Sequence, residues 1–220
     1  MNLNILAFDT SIDHTSVAIL HQNKIFKNIL FSPQEHIKKI FPMIKKCLLD
    51  AKITLQDIHI IAFSSGPGNF SSVRISVAIA QGFAFSYSSF SLINISSLLT
   101  LAQSVYQKIG IKNVIVAIDA KMGEIYTACY KLNSNNYWSG SNTEIKLKPE
   151  NFIEKIKYLR GTWAIAGDAW SKYSILKNNS SRFLVSNIIF INACDMIPIA
   201  IQFWKKKKIT FLKDIFLNYL

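Results

Sequence analysis

Ser64-Ser65-Gly66-Pro67-Gly68-Asn69-Phe70-Ser71-Ser72-Val73-Arg74 lies between an apolar run, residues 58–63, and a long helix-compatible stretch that begins near Ser71. The order reads strand, glycine turn, helix. Glycine accepts positive φ and proline fixes φ, so the backbone can turn sharply here. Ser71 or Ser72 is expected to cap the helix through its side-chain oxygen. The unpaired N–H groups of such a helix start favour an anion, which makes Gly66 and Gly68 candidate phosphate contacts. An ordinary strand-to-helix turn without a ligand fits the same residues.

Upstream of this turn, residues 3–8 predict a strand that ends in Asp9-Thr10-Ser11. Residues 15–20 and 24–31 predict two more strands in a hairpin or meander. Pro33 opens a helix to about Asp50, with Ile37, Ile40, Phe41, Ile44, Cys47 and Leu48 at helical spacing and a kink expected at Pro42. Downstream, residues 71–85 predict a helix, 91–95 a strand and 96–109 a second helix. The second half opens with a strand at 114–118 that ends in Asp119-Ala120-Lys121-Met122-Gly123-Glu124, followed by a strand at 125–132. Residues 133–142 read as a loop, 144–147 as a short strand and 149–159 as a helix begun by Pro149. Residues 163–166 predict a strand ending in Gly167-Asp168, and 188–191 another. Asn192 is expected to cap a helix to about residue 207, and 211–217 to form a last strand.

Leu6-Ala7-Phe8-Asp9-Thr10 and Ala117-Ile118-Asp119-Ala120 form a weak internal repeat. Each is an apolar strand that ends on an aspartate and continues into a second strand. The duplication predicts an α/β protein of two mixed-sheet lobes, residues 1–110 and 111–220.

Composition narrows the function. Half of the residues are hydrophobic and 17% are charged, so the chain can bury a core and is not disordered. The net charge of +12 invites a nucleic-acid reading. Of the 25 basic residues, however, only Arg74, Arg160 and Arg182 are arginine, and lysine is the weaker choice for bidentate phosphate or base contacts. Three scattered cysteines and no CxxC pair argue against a disulfide frame or a zinc site. Residues 1–10 lack a basic start and meet Asp9 early, against a secretory signal, so a cytoplasmic location is expected. The uncharged stretch between Arg74 and Lys108 is long enough to span a membrane, but its many Ser, Asn and Gln residues read better as helix, strand and helix within a core.

Candidate chemistry is sparse. Asp9 and Asp119 stand at strand ends, where α/β folds place ligands; each could hold Mg²⁺ through water beside nucleotide phosphates, or could only shape its own turn. Gly123 permits the turn after Asp119. His14, His21, His36 and His59 are not paired at helical spacing, and His36 is expected to cap a helix or pack at the surface. There is no GxSxG, and nothing arranges Ser and His as a triad. In the 71–85 helix, Ser72, Ser76 and Ala80 fall four apart and make a small face bordered by Val73 and Val77. That face serves either an internal contact or a protein partner.

Ile5-Leu6-Ala7-Phe8-Asp9-Thr10-Ser11 with Ser16-Val17-Ala18, Glu35-His36 with Phe41-Pro42-Met43, Gly66-Pro67-Gly68-Asn69-Phe70 with Val73-Arg74-Ile75 and Ala80-Gln81-Gly82, and Ile118-Asp119-Ala120-Lys121-Met122-Gly123-Glu124-Ile125-Tyr126 occur in one order. In that combination the chain resembles the TsaB (YeaZ) family over residues 4–217. The resemblance implies the duplicated actin/Hsp70/sugar-kinase-like fold. It implies a part in bacterial synthesis of N6-threonylcarbamoyladenosine at position 37 of tRNAs that read codons beginning with A. In that pathway the catalytic paralogue TsaD binds a metal and transfers the threonylcarbamoyl group from threonylcarbamoyl-AMP. TsaB pairs with TsaD through its N-terminal helices, and the ATPase TsaE joins them. TsaB is then an activating scaffold without catalytic residues, metal or cofactor of its own; ATP is used by the complex and tRNA is met through it. In the absence of TsaD, a homodimer and a monomer are both left open.

Carried onto this sequence, the partner interface comprises His36, Ile37, Ile40, Phe41, Ile44, Ser72, Val73, Ser76, Val77 and Ala80. A charge at Ser76 or Val77 is expected to abolish pairing. A vestigial nucleotide site comprises Asp9, Thr10, Gly66, Gly68, Asp119, Gly123 and Gly167. An autonomous kinase or ATPase that holds ATP and Mg²⁺ with Asp9, the Gly66–Gly68 turn, Asp119 and Gly167 is the rival expectation. Where TsaD-like chains carry paired metal histidines, this chain reads Asn94-Ile95-Ser96-Ser97-Leu98. Ser71, Ser72 and Ser76 stand where Thr, Gly and Gly are usual, Lys121 where Arg is, Ala169 where Gly is, and Phe216-Leu217-Asn218 where Tyr-Leu-Arg is.

Overall fold

The computed structural model describes residues 3–86, 90–211 and 220. The strand expected at 211–217 lies almost wholly outside the described residues. Two compact units are present: Met1–Ser97 with Ile191–Tyr219, and Leu98–Phe190 with Leu220.

In the first unit, β1 (Ile5–Asp9), β2 (His14–His21) and β3 (Lys24–Phe31) form an antiparallel meander. Strands β4 (Ile60–Ser64) and β5 (Ser91–Ile95) then add in parallel on the far side of β1, giving the order β3-β2-β1-β4-β5. β1 is buried along its whole length because helices cover both faces. Leu6 and Phe8 join Val17, Ile19, Ile61 and Phe63 under α1 (His36–Ala51) and α2 (Phe70–Ser86), whose Ile40, Met43, Ile44, Val77 and Ala80 complete one core. α1 continues past Pro42. Helix α3 (Ser97–Ile109) belongs from Leu98 onward to the second unit, not to the N-terminal lobe that the division at residue 110 implies.

The second unit repeats the plan. β6 (Asn113–Lys121), β7 (Glu124–Leu132) and the short β8 (Trp138–Ser139) run antiparallel, and β9 (Ile145–Leu147) pairs on β7. The β6–β7 turn needs positive φ at Lys121, Met122 and Gly123, which a glycine supplies without strain. After α4 (Pro149–Ile156), β10 (Ala164–Ala166) adds in parallel to β6. Helices α5 (Ala169–Lys172) and α6 (Ser174–Asn179) follow, and β11 (Leu184–Val185) extends the sheet to β11-β10-β6-β7-β8. Its core joins Ile115, Ala117, Ile125 and Ile165 to Phe152, Ile156, Trp170 and Leu176.

Helix α7 (Ala193–Lys205) packs on β1, β2, β4 and β5, on the face that α1 and α2 leave free. The sequence division at residue 110 assigned these residues to the C-terminal lobe; in the structure their apolar face, Ala193, Met196, Ile197, Ile199 and Ala200, is buried with the first unit. Two expected elements differ. The strand at 188–191 is absent, and the neighbouring Leu184–Val185 pairs with β10 in its place; Asn187 at φ 58° breaks extended backbone between the two runs. β8 sits inside the expected loop, because Trp138 packs edge-on against Tyr106 and Tyr130. Asn192 caps α7 as expected, its side chain accepting from the Cys194 N–H at 3.3 Å. Asn192→Ala should therefore lower stability by about 1 kcal/mol in chemical denaturation, while Asn192→Asp keeps the acceptor and most of the stability.

Candidate functional site

Strand β4 ends on Ser64, and the chain turns through Gly66 and Gly68 into α2. α2 begins at Phe70, with the Val73 N–H bonded to the Asn69 carbonyl. Ser71 and Ser72 thus sit inside the first turn and neither caps it. The loop lies directly on the end of β1. The Asn69 N–H donates to the Ser11 carbonyl at 2.7 Å, and Thr10 Oγ1 donates to the Ser72 carbonyl at 2.7 Å. A Cβ on Gly68 would stand 2.3 Å from the Ser11 carbonyl oxygen. The space that this glycine leaves is therefore filled by protein backbone.

Asp9 closes the same turn from below. Its side chain is wholly buried; Oδ1 accepts from the Ser11 hydroxyl at 2.7 Å and Oδ2 has no partner. Burial pushes its carboxyl up to about 6, against the opposing bond from the Ser11 hydroxyl.

Asp119 has the opposite surroundings. Its carboxylate accepts from the Lys121 N–H at 2.9 Å and the Tyr173 hydroxyl at 2.9 Å, and Lys121 Nζ and Lys172 Nζ each stand 3.2 Å away. Partial burial alone would raise its pKa, but these four donors together hold it near 2. Gly167 is needed where α5 leaves the sheet: a Cβ there would meet the Ala117 carbonyl oxygen at 2.0 Å, and its φ is +101°.

The seven residues offered for a nucleotide fall into two sets. Asp9, Thr10, Gly66 and Gly68 belong to the first unit; Asp119, Gly123 and Gly167 belong to the second. Asp9, Thr10, Gly68, Asp119 and Gly167 are each engaged by protein atoms of their own unit, and Gly66 and Gly123 supply the positive φ of their turns. Asp9 is wholly buried and Asp119 already meets two ammonium groups, whereas Gly123 has open space around it. Among the described residues no cluster of three His, Cys, Asp or Glu could hold a metal ion, and no helix is long and apolar enough to cross a membrane.

The α1–α2 pair offers a different kind of site. A groove of about 600 Å³ runs along it, lined by Ile37, Phe41, Arg74, Ile75, Gly82 and Phe83 among others. Phe83 forms part of the wall, edge-on to Phe8 and Phe41. The Arg74 guanidinium lies 3.4 Å over the Phe70 ring.

Ile37 and Phe41 are 63% and 51% exposed. The other eight residues expected at the partner interface are buried within the unit: His36, Ile40, Ile44, Ser72, Val73, Ser76, Val77 and Ala80. The small face of α2 makes an internal contact, because small side chains let the helix settle close to the sheet. Its larger residues, Ile75 and Phe83, are left on the groove side. Ser76 is fully buried and its hydroxyl has no partner, so a charge at Ser76 or Val77 tests folding rather than pairing. His36 neither caps α1 nor lies at the surface. Glu35 is the N-cap residue, and the His36 ring packs inward with Nδ1 2.8 Å from Thr15 Oγ1. The sequence also gave no warning of Arg74, Ile75, Gly82 and Phe83 as lining residues, since an apolar helix of this kind has no polar side to mark its exposed face.

A meander followed by two parallel strands, occurring twice with sheet order 3-2-1-4-5, defines a duplicated α/β protein of the actin/Hsp70/sugar-kinase type. The sequence profile of the family described as "TsaD: tRNA N6-adenosine threonylcarbamoyltransferase" matches residues 25–153. The chain is 42% identical over 194 residues to the tRNA threonylcarbamoyladenosine biosynthesis protein TsaB of Buchnera aphidicola subsp. Schizaphis graminum, covering 88% of this chain and 91% of that one. It is 37% identical over 207 residues to TsaB of Escherichia coli K12, covering 94% and 89%. The solved structure of YeaZ from Pseudomonas aeruginosa superposes with a TM-score of 0.85 at 28% identity, covering 99% of this chain and 100% of that one. The chain belongs to the TsaB (YeaZ) family.

Asp9 gives a pH test of this geometry. With its folded pKa raised from 3.8 to about 6, the group's contribution to stability is fully present below the unfolded value and is lost as pH rises through about 6. Asp9→Asn should gain on the parent between pH 4 and pH 7.5, by up to about 3 kcal/mol. Thermal unfolding of both chains across that range checks it. A parallel pair of curves would show that Asp9 titrates normally.

Proposed function

We propose that this chain is the non-catalytic activating partner of a TsaD-type transferase in the formation of N6-threonylcarbamoyladenosine on tRNA. The observation that carries the reading is the groove on α1 and α2, an apolar surface with Ile37 and Phe41 exposed at its edge. Its size and lining suit apolar side chains of a protein partner. The relatives' names supply the pathway. A homologous transferase supplies the partner: the family profile is that of TsaD itself, and a lobe similar to this one can present a matching helix pair.

The engaged aspartates support a scaffold role over ATP chemistry in this chain. Asp119 already has two lysines, a tyrosine and a backbone N–H around it, and Gly68 abuts the Ser11 carbonyl. In this reading a TsaE-type ATPase uses ATP in the complex, tRNA is met through the complex, and the chain needs no cofactor of its own and works in the cytoplasm.

The direct experiment measures threonylcarbamoyladenosine on tRNA, formed by the cognate TsaD and TsaE with ATP and threonylcarbamoyl-AMP, with and without this chain. Product should require the chain; equal product without it, with the other components shown active, rejects the role. Ile37→Asp with Phe41→Asp should abolish binding to TsaD and activation together while leaving the fold intact, since both side chains are exposed. Gly82→Trp fills the groove from a helical position with open space around it and should weaken binding at least tenfold. Unchanged affinity in both variants would move the interface elsewhere.

A further inference from the structure

Two of the chain's three arginines come to one turn of the second unit, at the end of α4. Arg182 Nη2 donates to the Lys157 carbonyl at 3.0 Å, and its guanidinium lies 5.6 Å over the Phe183 ring. One of its donors is used there; the rest of the fork is held in place for a ligand. Arg160 follows in the next turn, which the Trp163 indole N–H closes by donating to the Arg160 carbonyl at 3.0 Å. Lys131 Nζ lies 5.3 Å over the Trp163 ring. Lys131, Lys155, Lys157, Arg160 and Arg182 are all exposed. Glu154 pairs with Lys157, and Glu150 is the only other acid between residues 145 and 167, so the surface is positive. Tyr158 stands among these cations, 78% exposed, with Lys157 Nζ 5.1 Å from its ring centroid.

Arginine offers phosphate oxygens two parallel hydrogen bonds, where lysine supplies only a point charge. Lysine fills nearly every other basic position of this chain, so the arginines here single out one part of a generally basic surface. Charge alone would suit any acidic partner. The exposed tyrosine ring narrows the choice, because an unpaired RNA base stacks on such a ring while its phosphates meet the cations beside it. We propose that this surface binds RNA directly: Arg160 and Arg182 take backbone phosphates, and Tyr158 stacks on an unpaired base. That the RNA is tRNA, held jointly with the rest of the complex, rests on the proposed function; the contact itself does not. None of these residues lines the α1–α2 groove.

The test is fluorescence anisotropy of an unmodified tRNA transcript that reads a codon beginning with A, titrated with the full chain at several salt concentrations. Circular dichroism confirms the fold of each variant. The parent should bind, with affinity falling as salt rises. Arg160→Gln with Arg182→Gln should lower the slope of log affinity against log salt by about 1.5. Lys24→Gln with Lys52→Gln removes the same charge from exposed positions of the first unit and should leave that slope unchanged. Tyr158→Ala should weaken tRNA binding about tenfold, and Tyr158→Phe should keep it. On a fully paired RNA duplex, Tyr158→Ala should bind as the parent does. No binding by the parent would overturn the proposal, as would equal losses from the two charge pairs, or equal affinities of Tyr158→Ala and Tyr158→Phe for tRNA. The assay contains no TsaD, so its failure and a failure of the proposed pairing are read separately.

Discussion

The close seating of the Gly68 loop on the Ser11 carbonyl fixes where α2 begins, and most of the first unit follows from it. The bond from the Asn69 N–H and the bond from Thr10 Oγ1 to the Ser72 carbonyl tie the helix start to the end of β1. With its start held there, α2 lies low over β4 only if the side chains beneath it are small. Ser72, Ser76 and Ala80 meet that requirement, and the larger Ile75 and Phe83 then stand along the groove. The apolar groove is thus a consequence of how the turn is packed, not a feature added to a finished fold.

Corresponding positions in the two units carry aspartates with opposite electrostatics. Asp9 is enclosed with one hydroxyl donor and an unpartnered oxygen, so burial favours its neutral form. Asp119 is more exposed and meets two ammonium groups, a phenol and a backbone N–H, so its charge is held firmly. A nucleotide site asks its acids to be ionised and free. One aspartate here ionises only against the cost of burial and the other is already paired. The duplicated fold has kept its strands and turns while its acids have become parts of the packing.

Strand order, the repeat and the family were legible in the chain. Alternation and apolar runs located β1 to β7 to within a few residues, because a buried strand must be apolar whatever lies above it. The Asp9 and Asp119 turns marked the duplication, and Asn192 announced its cap by local chemistry alone. Elements with little local signal were missed or displaced: β8 and β11 are two residues each and exist through tertiary pairing. α7 could not be assigned to a unit from sequence, since only the folded sheet offers it a face.

The sequence by itself determined that this is a duplicated α/β chain of the TsaB (YeaZ) family, because those properties are written in the order of strands, turns and helices. Only the tertiary structure decided which residues face outward. α2 is apolar nearly all round, so its periodicity names no buried side; the space left above β4 does. The same packing moved His36, Ser76 and Val77 from the expected partner surface into the core and left Ile37, Phe41 and Phe83 to line the groove. Exposure belongs to a docked helix and not to a residue, and docking is settled by what the neighbouring sheet has room to accept.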